Sequence, residues 1–205
     1  ISPRAMVKAL ADGGCLGSFG ASGLTPARVE DEIAALAAEL KGRPFGSCLI
    51  HTPQDPTWEE KVTEIYLRHQ VRVIEASAFM QLTPSLVRYR LSGLEKRPDG
   101  TIHAPNRILA KASRVELARR YFAPPPDKLV KECLKRGWIP QAEADLAPFI
   151  PVAGDLTAEA DSGGHTDFRP ALPLWTAMVA AASEMTAKHG YAQPLRVGAA
   201  GRSRV

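Results

Sequence analysis

Glu159-Ala-Asp-Ser-Gly-Gly-His165-Thr-Asp167 is the stretch on which the fold turns, read together with Leu195-Arg-Val-Gly-Ala-Ala-Gly201. Each is a short apolar or β-prone run that breaks into small residues, and the first ends on a histidine. A glycine pair lets the backbone approach a ligand closely, because no Cβ stands in the way. Two Gly-rich strand ends in succession, with a helix-length segment between, suggest phosphate or flavin held by backbone N–H groups. Either motif alone is weak. In this order and at this spacing they point to a flavin-binding barrel.

Working outward, the chain alternates regularly. Residues 2–13 are predicted helical, with Ser2-Pro3 as N-cap and first-turn proline and Gly13-Gly14 as the stop. Cys15 to Phe19 reads as a short buried strand. Thr25-Pro26 opens a helix carrying Val29, Ile33, Leu36 and Leu40 at helical spacing, and Gly42 to Pro44 stops it. Phe45 to Ile50 is the next strand, Trp58 to His69 an amphipathic helix, and Val71 to Ser77 a strand. Thr83-Pro84 caps a helix reaching about Gly93, and Arg97-Pro-Asp-Gly100 is a turn by composition. Arg107 to Ser113 is a strand and Val115 to Tyr121 a helix. Pro124-Pro-Pro126 then begins a helical insertion over 124–148, with helices near 127–136 and 140–147. Asp155 to Asp161 returns to strand, Ala171 to His189 is a long helix, and Leu195 to Ala199 the last strand.

A helix followed by five βα units and a sixth strand implies a mainly parallel sheet covered by helices, an α/β fold. Cys48, Ser77, Lys111, Asp161, His165 and Gly201 all fall at or just past C-terminal strand ends. In a (β/α)8 TIM barrel those ends converge on one active-site face, whereas in an open sheet they line an edge. The placement favours the barrel. At 205 residues and 45% hydrophobic content the chain suits one domain with a substantial core. Residues 1–205 are therefore read as a single, partial flavin-binding barrel domain.

Charge excludes some functions. The net +4 comes from 26 basic and 22 acidic residues that are intermixed, with no basic stripe interleaved with aromatics, which argues against nucleic acid. Lys128-Leu-Val-Lys131 and Lys135-Arg136 read as solvated helix faces, and a mildly basic surface suits an acidic protein partner. The cysteines, Cys15, Cys48 and Cys133, are odd in number and widely spaced, with no C-x-x-C pair. Neither a disulfide framework nor a zinc site is indicated, and reduced thiols in a cytoplasmic protein are the natural reading. No apolar run reaches membrane-spanning length, and no secretory leader pattern is present. The first residue is Ile1, which suggests that sequence precedes it.

Five blocks together carry a family resemblance: Phe45-Gly-Ser-Cys-Leu-Ile-His51, Glu75-Ala-Ser-Ala78, Leu82-Thr-Pro-Ser-Leu-Val-Arg-Tyr-Arg90, Ala104-Pro-Asn-Arg-Ile-Leu-Ala-Lys-Ala-Ser-Arg-Val-Glu116 and the Glu159 to Asp167 stretch. Nearly the whole chain resembles the PfaD family, the trans-acting flavin-dependent enoyl reductases of polyunsaturated fatty acid and polyketide synthases. That family sits within the wider nitronate monooxygenase (2-nitropropane dioxygenase) group of flavin barrels. The resemblance implies an FMN-binding (β/α)8 barrel that takes hydride from NAD(P)H. It passes the hydride to an α,β-unsaturated acyl thioester on an acyl carrier protein, with synthase components as partners. By the same resemblance, Gly163 and Gly164 match the glycines beside the flavin and His165 the active-site histidine. Gly201 matches the phosphate-side glycine and Lys111 the strand lysine near the flavin ring. Two departures stand out. Cys48 replaces a usual Asn at a flavin contact, and Arg202-Ser-Arg-Val205 follows Gly201 where the family has a second Gly and an apolar residue. The chain therefore reads as a fragment covering strands two to seven, whose open sheet edges would invite association of copies.

The chemistry leaves alternatives open. His165 can act as general acid, as donor to a thioester carbonyl, or only as a cap on the following helix. Lys111 can set positive charge beside a flavin pyrimidine ring or reach solvent from a strand end. Asp161 can orient His165, contact flavin, or accept loop N–H groups. A metal set of His51, Asp161, His165 and Asp167 has no supporting spacing. A nucleophile at Cys48 or Ser162 lacks the G-x-S-x-G turn. The enzyme alternative is nitronate oxidation, and the non-enzyme alternative is a truncated, non-catalytic barrel.

Overall fold

Threonine or aspartate followed by proline opens three helices, because the side-chain oxygen caps an orphan N–H and proline's fixed φ starts the first turn. In the computed structural model, which describes residues 2–160 and 170–200, Thr25 accepts from the Arg28 N–H, Asp55 from Trp58 and Thr83 from Leu86. Each such cap is worth about 1 kcal/mol. The chain divides into two compact units, residues 1–79 and 80–205.

The first unit runs α1 (Arg4–Asp12), β1 (Ser18–Phe19), α2 (Pro26–Leu40), β2 (Gly46–Ile50), α3 (Pro56–Arg68) and β3 (Val73–Ser77). Its strands are parallel, β1 on β2 and β2 on β3, with Cys48 opposite Glu75 and Ile50 opposite Ser77. The periodic apolar residues of α2 are fully buried, as are Val62 and Tyr66 of α3. Several boundaries differ from the sequence reading: α3 begins at Pro56 rather than Trp58, and β3 at Val73 rather than Val71. Pro3, not Ser2, occupies the N-cap of α1, without a side-chain cap. Only Ser18–Phe19 of the expected first strand pairs, while Cys15 is exposed and Leu16 is half-exposed. Gly17 explains where burial begins: a Cβ there would lie 2.8 Å from the Val7 backbone, so the chain reaches α1 only as glycine.

The second unit contains α4 (Pro84–Leu91), a hairpin of β4 (Glu95–Lys96) and β5 (Ile102–His103), then β6 (Arg107–Ala112) and α5 (Val115–Phe122). Helices α6 (Asp127–Lys135) and α7 (Gln141–Ala144) and a 3-10 turn (Ala147–Phe149) follow, then β7 (Asp155–Glu159), α8 (Ala171–His189) and β8 (Arg196–Ala200). β6, β7 and β8 pair in parallel, with Lys111 opposite Thr157, Thr157 opposite Gly198 and Glu159 opposite Ala200. The hairpin goes beyond the sequence reading. It is built on the expected Arg97 to Gly100 turn, closed by the Arg97 N–H on the Thr101 carbonyl at 2.8 Å, and its strands are too short for periodicity to show.

The insertion has its own small core: Val130, Cys133, Ile139, Ala144, Ala147 and Ile150 pack with Val87, Leu91 and Leu94. Its basic residues Lys128, Lys131, Lys135 and Arg136 are exposed, as a solvated face requires. The second half of the insertion is shorter and less regular than the expected helix over 140–147, because Pro148 interrupts it. Arg90 fastens α4 beneath this core, donating from Nε to the Pro151 carbonyl at 3.0 Å and from Nη1 to the Asn106 carbonyl at 2.6 Å. Its burial draws the guanidinium down to about 10. Among the described residues no helix is long and apolar enough to cross a membrane.

Candidate functional site

Alternation along each strand separates a buried face from a partly exposed face that holds most of the polar side chains. In the first unit, Ser47, Leu49, Ile74 and Ala76 are fully buried, while Cys48, Ile50, Glu75 and Ser77 are partly exposed on the other side. The Cys48 thiol lies 3.7 Å from the Ser77 hydroxyl. Behind it the Tyr66 hydroxyl donates to the Cys48 carbonyl at 2.8 Å, which fixes this residue's backbone, and burial pushes the Tyr66 phenol far up.

Just past the end of β2, the His51 N–H donates to the Ser77 carbonyl at 3.1 Å. The imidazole Nδ1 lies 3.2 Å from Oε2 of the buried Glu59, and the ring stacks on Phe79 with centroids 5.0 Å apart. The sequence offers His51 a role only as a metal ligand. Among the described residues no group of three His, Cys, Asp or Glu side chains is arranged to hold a metal. Asp161, His165 and Asp167, the other members of that metal set, lie outside the described residues, and within them His51 has a carboxylate and an aromatic shelf. The signal for this is present in the chain: Glu59 falls in the first turn of α3, eight residues beyond the histidine.

In the second unit the polar face carries two ionic groups. Toward the N-terminal strand ends, Asp155 takes Arg107 on one oxygen and Arg196 on the other, each at 2.7 Å. Toward the C-terminal ends, Lys111 Nζ sits 3.1 Å from Glu159 Oε1, with side chains 22% and 13% exposed. A lysine in an apolar strand is costly unless paired, and Glu159 supplies the pairing. The sequence reading gives Glu159 no role, because only the β6–β7 register brings it to Lys111. Between the two ionic groups lie Thr157 and Gly198, and a Cβ on Gly198 would meet nothing closer than the Leu156 carbonyl at 4.0 Å. That stretch of the face is open.

Asp161, Gly163, Gly164, His165 and Gly201 lie outside the described residues. Lys111 is placed on the polar face near the C-terminal end of β6, and Cys48 on the polar face at the middle of β2 rather than at the strand end expected for it. An apolar groove of about 370 Å³ between α8 and β8, lined by Val179, Ala182, Thr186, Leu195 and Val197, holds no titratable side chain.

Comparison with known proteins follows the fold. The chain is 33% identical to the crystallised enoyl reductase domain of MlnA from the macrolactin cluster of Bacillus amyloliquefaciens, with a TM-score of 0.93 over 98% of this chain and 45% of that one. It is 42% identical over 202 residues to the polyketide biosynthesis protein PksE of Bacillus subtilis, covering 98% of this chain and 26% of PksE. Along nearly its whole length this chain is similar to proteins of polyketide and polyunsaturated fatty acid synthase systems and to an enoyl reductase domain. A third relative is one of the polyunsaturated fatty acid synthase polypeptides of Thraustochytrium sp., 42% identical over 182 residues, 89% of this chain and 12% of that polypeptide. The chain thus spans about a quarter or less of these curated relatives. No family model matches it. The parallel α/β architecture is that of a TIM-barrel-type enoyl reductase domain, in which strand C-terminal ends form the ligand face.

Proposed function

We propose that this chain supplies part of the ligand face of an FMN-dependent enoyl reductase. The whole protein would use NAD(P)H to reduce an α,β-unsaturated acyl thioester borne by an acyl carrier protein of a polyketide or polyunsaturated fatty acid synthase. The observation that carries the reading is the match, over 98% of the chain, to an enoyl reductase domain. The described residues fit a flat, partly anionic cofactor. The open face at Gly198 and Thr157 lies on β8 and β7, the two strands beyond that of Lys111, whose ammonium pairs with Glu159.

Gly163, Gly164 and Gly201 are the residues assigned to the flavin and its phosphate, with Cys48 and Asp161 as further contacts. When bound, FMN would supply two-electron chemistry between nicotinamide and the enoyl carbon. With FMN bound, Lys111 would supply positive charge toward the ring system. His165 donates to the thioester carbonyl, where negative charge develops as Cβ is reduced, and a positioned acid delivers the proton to Cα. Removal of such a donor lowers kcat and kcat/KM together, so His165→Ala should slow flavin reoxidation by substrate more than flavin reduction.

The test uses the full-length protein that contains this chain. It should purify yellow, release FMN on denaturation, and consume NAD(P)H with an enoyl thioester. Oxygen consumption with nitroalkanes, and none of NAD(P)H with the thioester, would move the assignment to nitronate oxidation. Colourless protein that binds no added FMN would overturn the flavin assignment.

A further inference from the structure

We propose that His51 is a ligand-contacting histidine that accepts a hydrogen bond from the polar arm of the acyl thioester, with Glu59 as its positioning residue. The inference rests on the enoyl-thioester reading above. His51 follows β2 directly, and its N–H on the Ser77 carbonyl at 3.1 Å extends the β2–β3 ladder by one residue. The imidazole is therefore carried on the end of a strand, where barrels of this type bind ligands.

Three contacts orient it. Glu59 Oε2 lies 3.2 Å from Nδ1, and the ring stacks on Phe79 at an interplanar angle of 29°. Phe79 is put there by Ala78, which has a left-handed φ of 62°. That conformation costs a non-glycine residue roughly 1–2 kcal/mol and tends to persist at ligand sites. Glu59 is only 3% exposed, so its carboxylate needs donors, and Nδ1–H is one. An Nδ1–H given to a carboxylate fixes the tautomer in which Nε2 carries the lone pair. Nε2 has no hydrogen-bond partner among the described residues, and the side chain is 24% exposed. The ring thus presents an oriented acceptor toward a ligand that brings an N–H or O–H.

The chemistry of the ligand then locates the contact. An enoyl thioester has no donor at its reacting end, since C=C, C=O and sulfur only accept. A pantetheine arm carries amide N–H groups and a hydroxyl. His51 consequently contacts the arm, away from the carbons being reduced, and its energy appears in binding rather than in the chemical step. One hydrogen bond of this kind corresponds to about a tenfold change in affinity.

In the full-length protein, kcat and KM would be compared for crotonyl-pantetheine and for S-ethyl crotonothioate, which lacks the arm's donors. Calorimetry would follow binding of saturated butyryl-pantetheine. His51→Phe keeps the stack on Phe79 and removes both nitrogens; His51→Gln keeps an acceptor near the Nε2 position. His51→Phe should raise KM for crotonyl-pantetheine about tenfold with kcat within twofold, weaken butyryl-pantetheine equally, and leave the ethyl thioester unchanged, while His51→Gln recovers most of the loss. Because His51→Phe removes a donor from a buried carboxylate, the double variant with Glu59→Leu is measured alongside, and the same pattern is expected. An unchanged KM, or an equal loss on both thioesters, in either folded variant overturns the proposal. If the wild type reduces no enoyl thioester, the enoyl reductase reading fails and calorimetry decides His51 by itself. Tenfold weaker binding in the variant supports the contact, and equal binding or none at all refutes it.

Discussion

Removing Lys111 should reveal how much of the second unit's stability rests on the pair with Glu159. At 3.1 Å and an effective dielectric near 20, two unit charges attract by roughly 5 kcal/mol. Against this stand partial desolvation of both groups, 22% and 13% exposed, and about 2 kcal/mol of side-chain freedom lost by the lysine. A net coupling of about 1–2 kcal/mol remains. Lys111→Met and Glu159→Leu should each destabilise by about 2 kcal/mol, since each deprives a largely buried charge of its ion-pair partner. The double variant should lose only about 2–3 kcal/mol rather than 4. The assay is urea unfolding followed by tryptophan fluorescence in a Trp58→Phe background, which leaves Trp138 and Trp175 as reporters within the second unit. Raising salt from about 0.05 to 0.5 M should diminish the coupling only modestly, because the pair is largely shielded from solvent. Losses that add to within about 0.3 kcal/mol would show that the two charges do not sense each other, and the pairing would be refuted.

Arg90→Met removes two charge-assisted hydrogen bonds and leaves the Pro151 and Asn106 carbonyls short of a donor, offset in part by the burial penalty that lowers the guanidinium's pKa. A net loss of about 2–4 kcal/mol is expected, read as a melting temperature lower by roughly 5–15 °C, against no measurable change for the exposed Arg97→Met. Cys133, pushed up to about 11 by burial, should resist iodoacetamide in the folded chain while exposed Cys15 reacts; mass spectrometry of timed samples shows the order, and prompt labelling of Cys133 would contradict its packing against Pro84. Burial raises the Glu143 carboxyl, so its ionised form opposes folding above the folded pKa and that penalty fades as pH falls through it. Glu143→Gln should therefore match or slightly exceed wild-type stability at neutral pH, with the difference gone once the pH is below the ordinary glutamate range. The reverse ordering would mean that the carboxylate's bond to the Gly93 N–H at 2.7 Å outweighs desolvation.

The order and type of the main elements were legible in the sequence because their determinants are local. Apolar spacing of 3 and 4 marks α2 and α3, Thr-Pro marks the start of α2, and β-branched runs such as Val71 to Ile74 mark strands, whereas α3 starts at Asp55-Pro56, ahead of the Trp58 expected to begin it. Those signals act within a turn or two of helix, so no partner is needed to read them. Lys111 could be placed near a strand end for the same reason, whereas Cys48, expected at a strand end, sits in the middle of β2. What the sequence alone could not decide is which strand residues face one another. Lys111 meets Glu159 from the neighbouring strand, Asp155 gathers Arg107 and Arg196 from the strands on either side, and Arg90 finds the carbonyls of Asn106 and Pro151. Each of these contacts depends on strand register or on the packing of the insertion, and a one-residue slip would turn every such strand side chain to the opposite face. The His51–Glu59 pair lies between these extremes. Its members are eight residues apart, yet it forms only because β3 holds the His51 backbone at Ser77 and the left-handed Ala78 turns Phe79 beneath the ring.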